Sequence, residues 1–255
     1  MLRSRIIPCL LVKNKGLVKT VNFKDPKYVG DPINAVKIFN EKLVDELIVL
    51  DIDASQEGRD PDYKMIENLA TECRMPFCYG GGIKTVEQAV KISNLGVEKI
   101  AISSAAITNP SLLTELSDAI GRQSVVVVFD VRKTMFGGYD AFIYNGKTKV
   151  KSDFFKLLKE VESLGAGEVV INSIDQDGKM GGYDEKLISK VRETIDIPLT
   201  VLGGAGHLDH IKKIISDYKV IGVAAGSLFV FKGVYKAVLI SYPSVAEKKV
   251  LNSSS

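Results

Sequence analysis

The sequence predicts an α/β chain folded as a single (β/α)8 TIM barrel assembled from two half-barrel repeats. Two observations carry this expectation. Eight short apolar runs alternate with amphipathic stretches from end to end, the order expected of strands and helices wound into a closed parallel sheet. A two-part signature also occurs twice. Gly80-Gly81-Gly82-Ile83 is followed one unit later by Ile102-Ser103-Ser104, and Gly203-Gly204-Ala205-Gly206 by Ala225-Gly226-Ser227. The offsets are 122 residues from Gly81 to Gly203 and 123 from Ser104 to Ser227, close to half of the 255-residue chain. Internal repetition at that period is the sequence mark of a duplicated unit.

The strands are expected at Ile6 to Val12, Glu46 to Asp51, Phe77 to Tyr79, Lys99 to Ile102, Ser124 to Asp130, Glu168 to Ile171, Leu199 to Leu202 and Val220 to Ala224. Their hydrophobicity is continuous rather than alternating, as parallel strands covered on both faces require. Helices are expected between them. Pro32 to Leu43 starts after Asp31, an N-cap followed by proline at the first helical position. Thr85 to Leu95 and Asp209 to Ser216 follow the two glycine motifs, and Ser111 to Ile120, Asp153 to Leu164 and Asp184 to Arg192 fill further gaps. Two connections are oversized. Lys13 to Gly30 is long and polar and is expected to be a mobile lid. Lys133 to Lys151 contains Tyr144-Asn145-Gly146-Lys147, an Asn-Gly hairpin signal. The barrel is expected over residues 1–245, with residues 246–255 a polar tail that frays.

Composition narrows the function classes. With 45% hydrophobic and 25% charged residues the chain reads as an ordinary globular domain. A net charge of +3 is too small for a nucleic-acid footprint. No apolar run reaches the ~18–20 residues of a membrane span. Three cysteines, Cys9, Cys73 and Cys78, lack metal-ligand spacing and fit a reducing, cytoplasmic setting. No metal or organic cofactor is implied, since His207 and His210 fall at an expected exposed helix start and no His/Cys/Asp cluster has ligand spacing.

In a barrel of this kind chemistry sits at the C-terminal ends of the strands. The polar residues there are Asp51 and Asp53 after the second strand, Asp130 after the fifth, and Asn172, Ser173, Asp175 and Asp177 after the sixth. A carboxylate directly after an apolar run is rarely core, because burying an unpaired charge is expensive; capping of the next turn is the other use for it. The glycine motifs suit anion binding, since side chains are removed where backbone N–H groups must approach a phosphate and a helix N-terminus adds positive potential. Two copies predict a ligand with a phosphate at each end, held by Gly81, Gly82, Ser103 and Ser104 and by Gly203, Gly204, Gly226 and Ser227. At the opposite face Arg5, Glu46, Lys99 and Glu168 begin strands one, two, four and six, where they either form an alternating ring or are separately solvated.

Over nearly its whole length the chain resembles the cyclase subunit of imidazole glycerol phosphate synthase. The residues that carry the resemblance include Arg5-Ile6-Ile7-Pro8-Cys9-Leu10, Lys19, Leu50-Asp51-Ile52, Gly80-Gly81-Gly82-Ile83, Asn109-Pro110-Ser111, Asp130, Ser173-Ile174-Asp175-Gln176-Asp177-Gly178 and Gly203-Gly204-Ala205-Gly206. The resemblance implies a heterodimer with a glutaminase subunit. Ammonia from that partner would cross the gate formed by Arg5, Glu46, Lys99 and Glu168 and reach a phosphorylated small-molecule substrate at the far rim, with Lys19 closing over it. Asp51 and Asp177 are further candidates for catalysis beside Asp130.

One departure stands out. The family uses an aspartate at the end of the first strand with the one matched by Asp130 as a general acid/base pair, and Leu11 takes that first place. Loss of one positioned acid/base group costs about 10²–10⁴ in rate. Leu50-Asp51-Ile52-Asp53-Ala54-Ser55 and Met75-Pro76-Phe77-Cys78-Tyr79 resemble a paralogous branch linked to amidation of sugars for surface glycans. Three functions follow: a barrel delivering ammonia to sugar amidation, a genuine lyase of histidine biosynthesis, or a non-catalytic regulator that binds a phosphorylated ligand and switches on its glutaminase.

Overall fold

The computed structural model describes residues 3–253. Eight parallel strands close on themselves: β1 (Arg5–Lys13), β2 (Leu47–Asp51), β3 (Phe77–Gly80), β4 (Lys99–Ile102), β5 (Val125–Lys133), β6 (Glu168–Ser173), β7 (Leu199–Leu202) and β8 (Gly222–Ala225). Each pairs with its neighbours in sequence, β5 with β6 across Val126↔Glu168 and β8 with β1 across Arg5↔Gly222, so no edge remains. The chain is one closed barrel, as its alternating pattern predicts.

Among the described residues eight helices of eight or more residues accompany the strands: α1 (Pro32–Glu41), α2 (Tyr63–Glu72), α3 (Val86–Asn94), α4 (Ser111–Ile120), α5 (Phe154–Ser163), α6 (Glu185–Arg192), α7 (Leu208–Tyr218) and α8 (Val245–Ser253). Their starts are set locally. Asp31, Asp62, Asp153 and Asp184 each accept the backbone N–H three residues on, and Thr85 with Gln88 forms a capping box. Side-chain parity along the strands divides the core in two. Ile6, Leu10 and Val12 face the helices in the larger cluster, whereas Ile7, Cys9, Ile48, Cys78, Val126 and Val128 fill the barrel interior, with Leu11 and Leu50 packed on top.

Several expectations need correction. Tyr63–Glu72 is a helix outside those expected from the sequence. The Lys13 to Gly30 stretch is not a loose lid. Gly16–Val21 and Lys24–Gly30 form an antiparallel hairpin that extends β1 through Leu11↔Val18, its turn made by Asn22 and Phe23 at φ +52° and +63°. The Asn-Gly signal does mark a hairpin, with Ile143 opposite Thr148. A third, unforeseen hairpin pairs Phe231–Lys232 with Ala237–Val238. The polar tail does not fray over its described length. Residues through Ser253 form α8, with Leu251 buried and Lys248 donating to Leu43 O and Asp45 Oδ1, both at 2.8 Å. Residues 254 and 255 lie outside the described residues. Among the described residues no helix is long and apolar enough to cross a membrane.

Candidate functional site

The strands end, on their C-terminal side, in a cavity of about 1160 Å3 counting its open mouth. Asp130, Leu11, Lys19, Asp51 and Asp177 all line it, as do Gly81, Gly82, Ser103, Ser104, Gly203, Gly204, Gly226 and Ser227. Parity explains who points inward. Val126, Val128 and Asp130 alternate toward the axis, as do Ile7, Cys9 and Leu11.

Asp130 is the acid best placed for chemistry. Its carboxyl sits deep in the cavity, and Asn172 Nδ2 donates to its Oδ1 at 3.0 Å. Burial, with a smaller push from the nearby Asp177 charge, raises its pKa to about 7 against the pull of the Asn172 bond. A carboxyl near neutrality can hold or release a proton at physiological pH. Leu11 is half-buried above Leu50 and opposite Val18 in the hairpin. Hydrocarbon therefore occupies the end of β1.

The other acids are committed elsewhere. Asp51 Oδ1 accepts from Asp53 N and Ala54 N, each at 3.2 Å, and Arg59 approaches at 3.7 Å; it holds the β2–α2 loop. Asp177 latches the hairpin, accepting from Thr20 Oγ1 at 2.7 Å and Phe23 N at 3.1 Å while its carbonyl takes Asn22 N. Burial raises both carboxyls. Asp53 pairs with Lys13 and Asp175 caps Lys133 N, neither lining the cavity.

Lys19 is buried, and its ammonium donates to Cys9 O at 2.7 Å. It lies so close to Gly226 that a Cβ there would stand 2.5 Å from Nζ. Burial lowers its pKa, opposed by the Cys9 and Asp177 charges. The glycines serve close backbone approach as well as space. Gly81 and Gly203 have φ of +130° and +96°, and added Cβ atoms would stand 2.6 Å from Asp51 O and 2.8 Å from Ser173 O. Gly82 N donates to Ser55 Oγ at 3.2 Å, and Ser104 Oγ accepts Tyr144 N at 3.0 Å. Asn172 is among the polar residues expected to close the sixth strand, whereas Thr20 and Ser55 carry no role in the sequence analysis. Their partners lie far along the chain, so no local pattern exposes them.

At the N-terminal face the four charges form a closed ring. Arg5 bonds Glu46, and its Nη2 donates to Glu168 Oε1 at 2.7 Å. Lys99 Nζ donates to Glu46 Oε1 and Glu168 Oε2, both at 2.8 Å, and Thr200 Oγ1 adds a bond to Glu168 at 2.5 Å. Burial alone would raise the Glu168 carboxyl, but Arg5 and Lys99 bring it down to about 2. Between ring and cavity lies the apolar interior, whose thiols Cys9 and Cys78 are pushed up, Cys9 to about 12, chiefly by burial. Among the described residues no three His, Cys, Asp or Glu side chains group as metal ligands.

Comparison with known proteins fits this arrangement. The family "Histidine biosynthesis protein" matches residues 5–236. The chain is 59% identical over 250 residues to a protein of Vibrio vulnificus (strain YJ016) provisionally named imidazole glycerol phosphate synthase subunit hisF3, covering 98% of this chain and 96% of the other. It is 51% identical over 245 residues to one of Pseudomonas aeruginosa provisionally named subunit hisF2, with 96% and 98% covered. It is 37% identical over 229 residues to imidazole glycerol phosphate synthase subunit HisF of Streptococcus sanguinis (strain SK36), with 90% and 91% covered. The chain therefore belongs to the histidine biosynthesis protein family, among the cyclase-subunit barrels of imidazole glycerol phosphate synthase.

Proposed function

We propose that this barrel receives ammonia from a glutaminase docked on its ringed face and delivers it, through the interior, for amidation of a phosphorylated sugar in surface-glycan assembly. The observation that carries the reading is Leu11. The charged ring and both glycine–serine loops are retained, yet hydrocarbon fills the place of one member of the proton-handling pair. The relatives' numbered names, hisF2 and hisF3, fit a branch that coexists with another copy. Asp130 remains able to accept or return one proton, but a ring-closing reaction needs a second group on the other side of the substrate. Gly81, Gly82, Ser103 and Ser104 on one side, with Gly203, Gly204, Gly226 and Ser227 on the other, would hold phosphate. Lys19 beside Gly226 would supply a cation there.

A second reading, a working lyase of histidine biosynthesis, draws support from Asp177, whose charge bears on both Asp130 and Lys19. The two separate on one assay. Purified chain given ammonium salt and the ribonucleotide of the imidazole pathway should show negligible cyclisation. Turnover at the rate of a relative with aspartate at that position would refute the proposal, as would rescue of a histidine auxotroph lacking this subunit.

A further inference from the structure

The chain's charge is unevenly distributed. Residues 13–30, 131–151 and 231–238 hold twelve of the 34 Lys and Arg but only two of the 31 Asp and Glu. These segments are therefore ten charges positive, while the remainder is seven negative, on a chain of net +3. All three follow C-terminal strand ends, of β1, β5 and β8, and each is a hairpin. They also touch. The Phe23 ring of the first lies 3.0 Å from where a Cβ on Gly146 of the second would stand, and Lys27 Nζ lies 5.9 Å from the Phe231 ring centre in the third. The result is one basic arc beside the cavity mouth.

Little within the chain answers that charge. Lys13, Lys15, Arg132 and Lys149 have acidic partners. Among the described residues Lys24, Lys133, Lys147, Lys151, Lys232 and Lys236 have none. The arc also carries large apolar side chains with almost no cover: Met135 is 98% exposed, Phe136 100%, Val234 95% and Tyr235 95%. Charge alone would suffice to steer a phosphorylated small molecule inward. Bare tips such as those of Phe136, Tyr235 and Met135 do nothing for steering and are of the types enriched in protein interfaces.

We propose that this arc is the docking surface for the enzyme that accepts the ammonia, a protein presenting an acidic face with apolar pockets over the cavity mouth. The partner rests on the function proposed above. The surface does not, because the charge segregation and the bare tips stand without it. Seating the acceptor here would place its own site at the exit, so ammonia need not enter bulk water.

The test places a photo-crosslinking amino acid at Phe136, at Tyr235 and, as a control on the helical wall, at Lys159, in the full chain expressed in its source cells. Adducts at both rim positions to one and the same protein, identified by mass spectrometry and absent at Lys159, are expected. That protein, purified, should bind the chain at least tenfold more weakly after Lys133→Glu, Lys232→Glu and Lys236→Glu combined, and more weakly in 300 mM than in 50 mM salt, with binding to the glutaminase unchanged. Adducts only to nucleic acid or to a second copy of this chain would overturn the proposal. So would no adduct, or affinity indifferent to the three reversals. The cyclisation assay decides the function separately: normal cyclisation with intact rim crosslinks removes the acceptor's proposed identity but leaves the surface. Absent cyclisation without rim crosslinks does the reverse.

Discussion

Replacing Arg5 by methionine removes one of the two cations paired with Glu46 and Glu168 at the N-terminal end of the barrel. Glu168 has a folded pKa of about 2 against an ordinary 4.5, a difference worth about 3 kcal/mol at neutral pH. Arg5 is the larger of its two charge partners, and Glu46 loses a partner as well. Breaking a buried pair from one side costs about 3–5 kcal/mol, so a loss of about 3 kcal/mol is expected. For a chain of this size that lowers Tm by roughly 6–12 °C. The sign with pH follows from linkage. A carboxylate whose folded pKa is depressed stabilises above its unfolded pKa, and that contribution fades as pH falls from 4.5 toward 2. The gap between the wild type and Arg5→Met should therefore be full at pH 7.5 and begin to narrow near pH 4. Urea unfolding at both pH values measures it. A loss under about 1 kcal/mol at pH 7.5, or a gap that widens at pH 4, would refute the account of the ring.

Three further outcomes are expected. Asp130→Asn should raise stability at pH 8 relative to pH 5, because a raised folded pKa of about 7 makes the native state hold a proton the unfolded chain has lost, and stability declines between pH 4 and 7; an unchanged urea midpoint difference contradicts this. Leu11→Asp should raise any residual cyclisation by about a hundredfold, the low side of what one acid/base group contributes, as followed by product formation from ribonucleotide and ammonium. Asp177→Asn should weaken the bonds to Thr20 and Phe23 and speed amide exchange across Gly16–Val21 and Lys24–Gly30, with the barrel strands unaffected; equal protection in both proteins argues against the latch.

The barrel was legible because its signals are local. Continuous apolar runs mark strands buried on two faces, and Asp31-Pro32 or Thr85 with Gln88 mark helix starts within four residues. Helix α2 had such a signal, Asp62 followed by Met65, Ile66 and Leu69, and could have been read. The first hairpin could not be foreseen so easily. Its turn places Phe23 at positive φ, where glycine is usual, and its latch to Asp177 spans 154 residues. For the same reason Asp51 and Asp130 looked alike as strand-ending acids. Only parity and partners separate them, since Asp51 turns to its own loop while Asp130 faces the axis.

On the proposed route, the wall between the ring and the cavity would sort nitrogen by protonation state. An ammonium ion entering among Ile7, Ile48, Val126, Val128 and Val170 would shed its hydration shell and meet two thiols and otherwise hydrocarbon. Neutral NH3 sheds far less. Nitrogen taking that route would leave its proton behind at the entrance and emerge with its lone pair free to attack.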